Sequence, residues 1–345
     1  MTQDKEVALE ALFRTLRGAA IHPARVSLAW RQEGGRFLYA RGEGEVQTLT
    51  EMELYEKEAL FMDLFFMRPD LSVLIRSRPP HVEALASVRN LRSLGPSLDD
   101  AAQVIGSRIV ISPEDKTKRI RRALRKRQAC VVRAGSDSYA LAMGRTLDQA
   151  LAATLILDKS ALAYVEGCLL GGAKLLNPLM AKLYRQAYLK RYQIQDQGLL
   201  SQTADDIPRS IPQEEMAIRR AILDTSLDLA RENLVQGTWG NISVRLDEDY
   251  MLVTPSGLAY DRLTPYDLVR VDIKSLAYEA WIKPTSEARL HAALYKGFPD
   301  VTWLIHSHPL QSSVFAACQQ AIPVLHDQDR DWLGDRTAFS PRRLS

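Results

Sequence analysis

Two stretches of this chain, 230 residues apart, are near-copies: residues 69–79 read PDLSVLIRSRP and residues 299–309 read PDVTWLIHSHP. In each, an apolar run of strand character leads into a basic-Ser-basic triplet closed by proline. A chain that repeats such an element in the same order of neighbours is expected to fold one supersecondary unit twice. Side chains at i and i+2 of a strand share a face. His306 and His308 therefore aim together at one point, a two-ligand clamp for a divalent metal. Arg76 and Arg78 aim at the equivalent point of the first half, but a guanidinium stays protonated and does not ligate metals. Of the two triplets, only the second carries residues suited to metal chemistry.

The flanking patterns agree with duplication. In the first half they predict a helix over 5–20, strands over 26–30 and 36–40, a helix over 50–67 and a strand over 71–75. Strands over 129–133 and 139–143 follow, then a long helix over 146–165 and a further helical piece over 178–193. The second half predicts a helix over 213–233, strands over 242–245 and 251–254, a helix over 285–296, a strand over 301–305 and a helix from 311. Strands alternating with flanking helices give an α/β layered domain, present twice. The expected domains are 1–193 and 213–345, joined by the polar, proline-containing linker 194–212. Less sequence follows the triplet in the second half than in the first, so the second copy is expected to be C-terminally incomplete.

Composition narrows the partners. No apolar run reaches the length of a membrane span, and residues 1–14 are too charged for a signal peptide, so no membrane partner is expected. Three cysteines without metal-type spacing point to a reducing cytoplasm. A net charge of +3 calls for no polyanionic partner. The run KTKRIRRALRKR at 116–127 reads either as a nucleic-acid patch or as a solvated helix face with Ile120, Ala123 and Leu124 inside. No aromatic residues interleave for base stacking, so the second reading is adopted and no nucleic acid is expected.

Three segments accompany the histidines. GTWGNISVR at 237–245 is a glycine-rich turn that leaves backbone amides and the Asn241 side chain free for an anion. TPSG at 254–257 is a strand-to-turn corner with the Ser256 hydroxyl and an accessible amide at Gly257. PTSEARLH at 284–291 sets Thr285 and Ser286 at an expected helix N-terminus, where free N–H groups attract phosphate, and puts Glu287 one turn before His291. Each has a plain alternative: a helix cap, two ordinary turns and a packing histidine. The four together, in this order, are what chance supplies rarely.

In that combination the chain resembles the class II aldolase and adducin family, through Gly240 to Ser243, Thr254 to Gly257, Pro284 to Glu287, and His306 to His308, with IPVLHD at 322–327 similar as well. The resemblance implies a three-layer α/β/α fold with a mostly antiparallel central sheet and a homo-oligomer, usually a tetramer. It implies a divalent metal, zinc above all, held by three histidines, of which His306 and His308 would be two. Glu287 would be the acid/base carboxylate beside a metal-stabilised enediolate. Asn241, Ser256, Gly257, Thr285 and Ser286 would hold the phosphate of a phosphorylated sugar. The implied activity is an aldehyde-lyase cleaving a phosphorylated ketose or related sugar acid.

Neither half carries the whole pattern. The family's third histidine follows in a segment not matched in the second half, and His326 lies outside that position. In the first half, Ala134, Gly135 and Ser136 stand in the place of its Asn-His-Gly, and Lys57 falls at the offset of Glu287. The first half then reads as a packing partner or, through Arg76 and Arg78, as an anion site. The other function compatible with these departures is a non-catalytic, adducin-like interaction or regulatory protein on the same fold.

Overall fold

A computed structural model of the chain describes residues 3–198, 211–235, 239–258, 260–278, 280–334 and 337. Residues 199–210 of the expected linker lie outside that set, as do 236–238 of the glycine-rich turn. Contacts divide the chain into two compact units: Met1–Arg191 with Leu310–Ser345, and Tyr192–Pro309.

In the first unit the elements run α1 (Gln3–Gly18), β1 (Ser27–Arg31), β2 (Arg36–Arg41), β3 (Gln47–Thr50), α2 (Glu51–Lys57), α3 (Ala59–Met67), β4 (Val73–Ser77) and α4 (Pro80–Ser87). They continue with β5 (Ser93–Leu94), α5 (Asp99–Val104), β6 (Ile109–Ser112), α6 (Thr117–Leu124), β7 (Ala129–Val132), β8 (Tyr139–Gly144) and α7 (Leu147–Val165), and α8 (Pro178–Gly198) then runs past Arg191, where this stretch of the unit ends. The sheet order is β3-β2-β1-β4-β8-β7-β6-β5, antiparallel throughout except for the parallel β6–β7 pair. One apolar layer packs Leu12, Leu16, Val73 and Ile75 with Leu151 and Leu155 of α7. The opposite layer packs Phe61, Leu64 and Phe65 of α3 with Leu74 and Leu141. Ile120, Ala123 and Leu124 belong to that second layer, so α6 buries its apolar stripe and turns its basic side chains outward.

The helix expected over 50–67 is two helices. A capping box between Thr50 and Glu53 starts α2, and the chain breaks at Glu58, whose φ of −146° is not helical. The expected linker also shifts, because α8 continues to Gly198.

The second unit contains α9 (Gln213–Arg231), β9 (Asn241–Arg245), β10 (Tyr250–Val253), β11 (Val269–Asp272), α10 (Ala288–Gly297) and β12 (Trp303–His306). Its sheet, β11-β10-β9-β12, is antiparallel. It shares order and register with β3-β2-β1-β4: Trp303 pairs Val244 as Val73 pairs Trp30, and Val253 pairs Val269 as Tyr39 pairs Gln47. Arg245 and Arg31 occupy equivalent places on β9 and β1. Arg245 donates to the carbonyls of Val301 and Phe298 and lies 4.7 Å from the Tyr295 ring. Arg31 donates to those of Pro69 and Phe65 and lies 4.9 Å from the Phe65 ring.

One feature of this unit departs from expectation. The helix over 285–296 begins only at Ala288, because the Thr285 amide donates to the Thr254 carbonyl at 3.0 Å and an isolated bridge joins Pro255 to Pro284. Sheet-like pairing thus holds Pro284 and Thr285 extended, and Thr285 and Ser286 are not helix caps. β12 is also a sheet edge. Trp303 and Ile305 are 39% and 49% exposed, whereas their counterparts Val73 and Ile75, with β8 alongside and α7 over them, are fully covered.

The last described elements, α11 (Leu310–Cys318) and α12 (Asp327–Leu333), fall in the part of the chain that groups with the first unit. Val314 and Cys318 of α11 pack on Leu162 of α7, and the Lys174 amide donates to the Ala317 carbonyl at 2.8 Å. The contacts therefore assign Leu310–Ser345 differently from the expected 213–345 domain.

Candidate active site

β9 and β12 bring the central residues together by register, since Asn241 lies directly opposite His306. Glu287 reaches them from the N-cap position of α10. The Asn241 amide donates to Glu287 Oε2 at 2.5 Å, and the same oxygen accepts from Nδ1 of His306. The His306 and His308 rings stack with centroids 4.6 Å apart and planes 29° from parallel. Burial pushes the Glu287 carboxyl up, but the hydrogen bonds from His306 and Asn241, with His308 nearby, hold it below the ordinary value. It is ionised at neutral pH.

A second layer supports the cluster. The Thr254 hydroxyl accepts from the Ile242 amide at 3.1 Å, tying β9 to β10. Ser243 lies 2.5 Å from Nδ1 of His291 and 2.9 Å from the Tyr295 hydroxyl, which donates to the Thr302 carbonyl. His291 is buried, and burial lowers its pKa, so it packs as a neutral ring. Gly240 enters the cluster with φ +116°, and a Cβ there would come within 2.6 Å of Val235 and 3.0 Å of the His306 carbonyl.

The five expected phosphate contacts behave differently from one another. The Ser256 amide already donates to the Lys283 carbonyl, and Thr285 is buried with its hydroxyl accepting from the Glu287 amide. Asn241 is buried and turns its amide towards Glu287. Gly257, in a turn with φ +83°, and Ser286 are exposed. An anion arriving from solvent would meet these two first.

Chemically, two neighbouring imidazoles and a carboxylate are ligands for zinc or a similar divalent ion. The hydrogen bond from Nδ1 of His306 to a carboxylate is the arrangement that orients a ligating histidine through its other nitrogen. The donor types of His306 and His308 fit such an ion. Among the described residues, no group of three or more His, Cys, Asp or Glu is arranged to hold one.

In the first unit, Arg76 pairs with Glu58 and lies over the rings of Phe61 and Tyr139. Arg78 pairs with Glu83 and Asp137 and also donates to the Ser136 carbonyl. Both guanidinium groups are thus paired with the unit's own carboxylates. The counterpart of Glu287 is Glu58, not Lys57: each glutamate is the N-cap of its helix and accepts from the basic residue of its triplet. α3 has nine residues and α10 has ten, so a constant offset misses the match by one position.

Comparison with known proteins follows the same residues. Residues 220–344 match the family described as Class II Aldolase and Adducin N-terminal domain. The chain is 37% identical over 113 residues to L-fuculose phosphate aldolase of Escherichia coli (strain K12), a match covering 33% of this chain and 52% of the relative. It is 31% identical over 116 residues to L-ribulose-5-phosphate 4-epimerase UlaF of Salmonella paratyphi C (strain RKS4594), covering 33% of this chain and 51% of the relative. The chain spans about half the length of these curated relatives. A solved L-fuculose 1-phosphate aldolase superposes with a TM-score of 0.48 at 13% identity, over 55% of this chain and 98% of that one. The matched segment, residues 220–344, holds all the residues of the centre.

Proposed function

We propose that the second unit carries a metal-dependent, aldolase-type centre that cleaves a phosphorylated ketose or a related sugar acid. The observation that supports this most directly is the cluster itself: stacked His306 and His308, with Glu287 held by both His306 and Asn241. His306 and His308 would hold the ion, zinc in the first instance. When bound, a divalent cation supplies Lewis-acid polarisation of a substrate carbonyl and hydroxyl. Glu287, ionised and fixed by two hydrogen bonds, takes up and returns the proton as the carbon–carbon bond breaks. Gly257 and Ser286, with Ser256, receive the phosphate at the exposed rim, while Asn241 and Thr285 orient the carboxylate from beneath.

The same reading takes the two units as tandem copies of one α/β domain, supported by their shared strand register and the paired roles of Arg31 and Arg245. The first copy is then a packing element in which Arg76 and Glu58 form an ion pair where the second copy has His306 and Glu287. Its Arg78 does the same with Glu83 and Asp137. The family resemblance supports a homo-oligomer, and the three free cysteines suit a reducing cytoplasm.

The second reading is an interaction or regulatory protein that keeps the fold without turnover. It is favoured by the donor set, which among the described residues stops short of three grouped metal ligands. Retro-aldol assay of the full chain on a panel of ketose 1-phosphates, with zinc added, separates the two. Activity abolished by Glu287→Ala establishes the lyase; no cleavage with any divalent metal leaves the interaction protein.

A further inference from the structure

Charge is not spread evenly along this chain. Residues 116–127 hold eight of its 45 basic residues and none of its 42 acidic ones. Without those eight the net charge of +3 becomes −5, so the rest of the chain is acidic on balance. A small overall charge conceals a segregated one.

α6 fixes how these cations are presented. Ile120 and Leu124 are fully covered and Ala123 nearly so, which holds the helix against rolling. Lys118, Arg121, Arg122 and Arg125 stand at i, i+3, i+4 and i+7, one stripe on the opposite side, and all four are exposed. Arg125 keeps helical dihedrals as the C-cap, so the stripe runs unbroken for about 10 Å. Glu114, just before the helix, is taken up by Lys116 at 2.8 Å and Arg119 at 3.3 Å. Among the described residues, the four side chains of the stripe make no hydrogen bond or ion pair. They do not serve the helix end either, because Arg68 already donates to the Leu124 and Arg127 carbonyls. Like charges three and four residues apart repel on a helix, so the stripe works against folding.

We infer that the exposed face of α6 is a docking surface for a short acidic segment of a partner protein, with Lys118, Arg121, Arg122 and Arg125 pairing its carboxylates. Charge complementarity selects an anion, and guanidinium groups take carboxylates through paired hydrogen bonds. Extent selects a short one. A duplex nucleic acid or a charged membrane would reach past the stripe onto a chain that is otherwise net acidic. Residues 116–127 include no aromatic side chain on which an unpaired base could stack. The apolar residues of α6 are turned into the core, which leaves none to enter a lipid surface.

The test uses the full chain and a dye-labelled helical peptide with glutamates at i, i+3, i+4 and i+7, read by fluorescence anisotropy. Saturable binding that weakens as salt rises is expected. The variant Lys118→Gln/Arg121→Gln/Arg122→Gln/Arg125→Gln should bind at least about tenfold more weakly, the joint effect of four exposed ion pairs. A control that neutralises four exposed arginines elsewhere, Arg14→Gln/Arg36→Gln/Arg89→Gln/Arg220→Gln, should bind as the wild type does. The melting temperature of the stripe variant should equal or exceed that of the wild type, since neutralisation removes only repulsion. Absence of peptide binding, equal loss in both variants, or a lowered melting temperature of the stripe variant overturns the assignment. So does tighter binding to a DNA duplex or to phosphatidylserine vesicles than to the peptide. Salt-sensitive self-association that the stripe variant loses would assign the face to a second copy of this chain instead. None of these readouts involves turnover, so they stand apart from the lyase assay.

Discussion

Glu287 accepts the Nδ1 hydrogen bond of His306, and that contact leaves Nε2 as the ring nitrogen able to face an ion. His308, stacked on the same side, adds a second imidazole. The protein purified with zinc should therefore carry metal, and His306→Ala/His308→Ala should lose it. Glu287→Gln keeps both rings but weakens the orienting hydrogen bond. Its zinc affinity by calorimetric titration should fall by roughly 10–100-fold, the usual effect of removing such a partner. Equal metal content in the wild type and the double variant would remove the histidine pair from the site.

Gly240 is the backbone hinge of the same cluster. Its φ of +116° strains any L side chain, and a Cβ would press on Val235 and the His306 carbonyl. Gly240→Ala should destabilise the protein by about 1–3 kcal/mol through backbone strain alone, with the close contacts adding to it. Denaturant unfolding of the variant measures this directly. A change below a few tenths would mean the turn relaxes without cost.

How much of this was legible in the sequence depended on whether the information was periodic or relational. The repeat of PDLSVLIRSRP and PDVTWLIHSHP drew His306 and His308 together, and their rings do stack, although β12 ends at His306 and His308 lies beyond the strand. The inner stripe of α6 was readable because helix periodicity is local. The start of α10 was not, because Thr285 is drawn into a cross-chain bond to Thr254 that outweighs local capping preference. Glu58 was missed because a one-residue difference in helix length breaks the fixed offset.

In the first unit, Lys159 of α7 and Asp100 of α5 form an ion pair at 2.8 Å, with both side chains almost fully buried. Removing one partner strands the other charge in the core. Lys159→Met should cost about 3–5 kcal/mol, whereas Lys159→Met with Asp100→Leu should recover most of the loss. Unfolding free energies of both single variants and the double variant close the cycle. Additive losses in the double variant would show that the two charges do not compensate each other.

The neighbouring residue of α7 makes a pH-dependent contact. Asp158 accepts from the His81 and Val82 amides at the start of α4 and, through its other oxygen, faces His81 Nδ1 at 2.8 Å. The Asp158 hydrogen bond raises the His81 pKa above its ordinary 6.5, burial opposes the shift, and the charges of Asp158 and Glu166 add to it. A group whose folded pKa is raised stabilises the fold fully below its unfolded value and loses that contribution as pH climbs through the folded value. His81→Ala keeps the backbone amide that Asp158 caps and removes only the titrating ring. The gap in melting temperature between wild type and His81→Ala should be widest below the ordinary value of 6.5 and should narrow above it. A gap that stays constant across that range would mean the ring contributes packing and no charge.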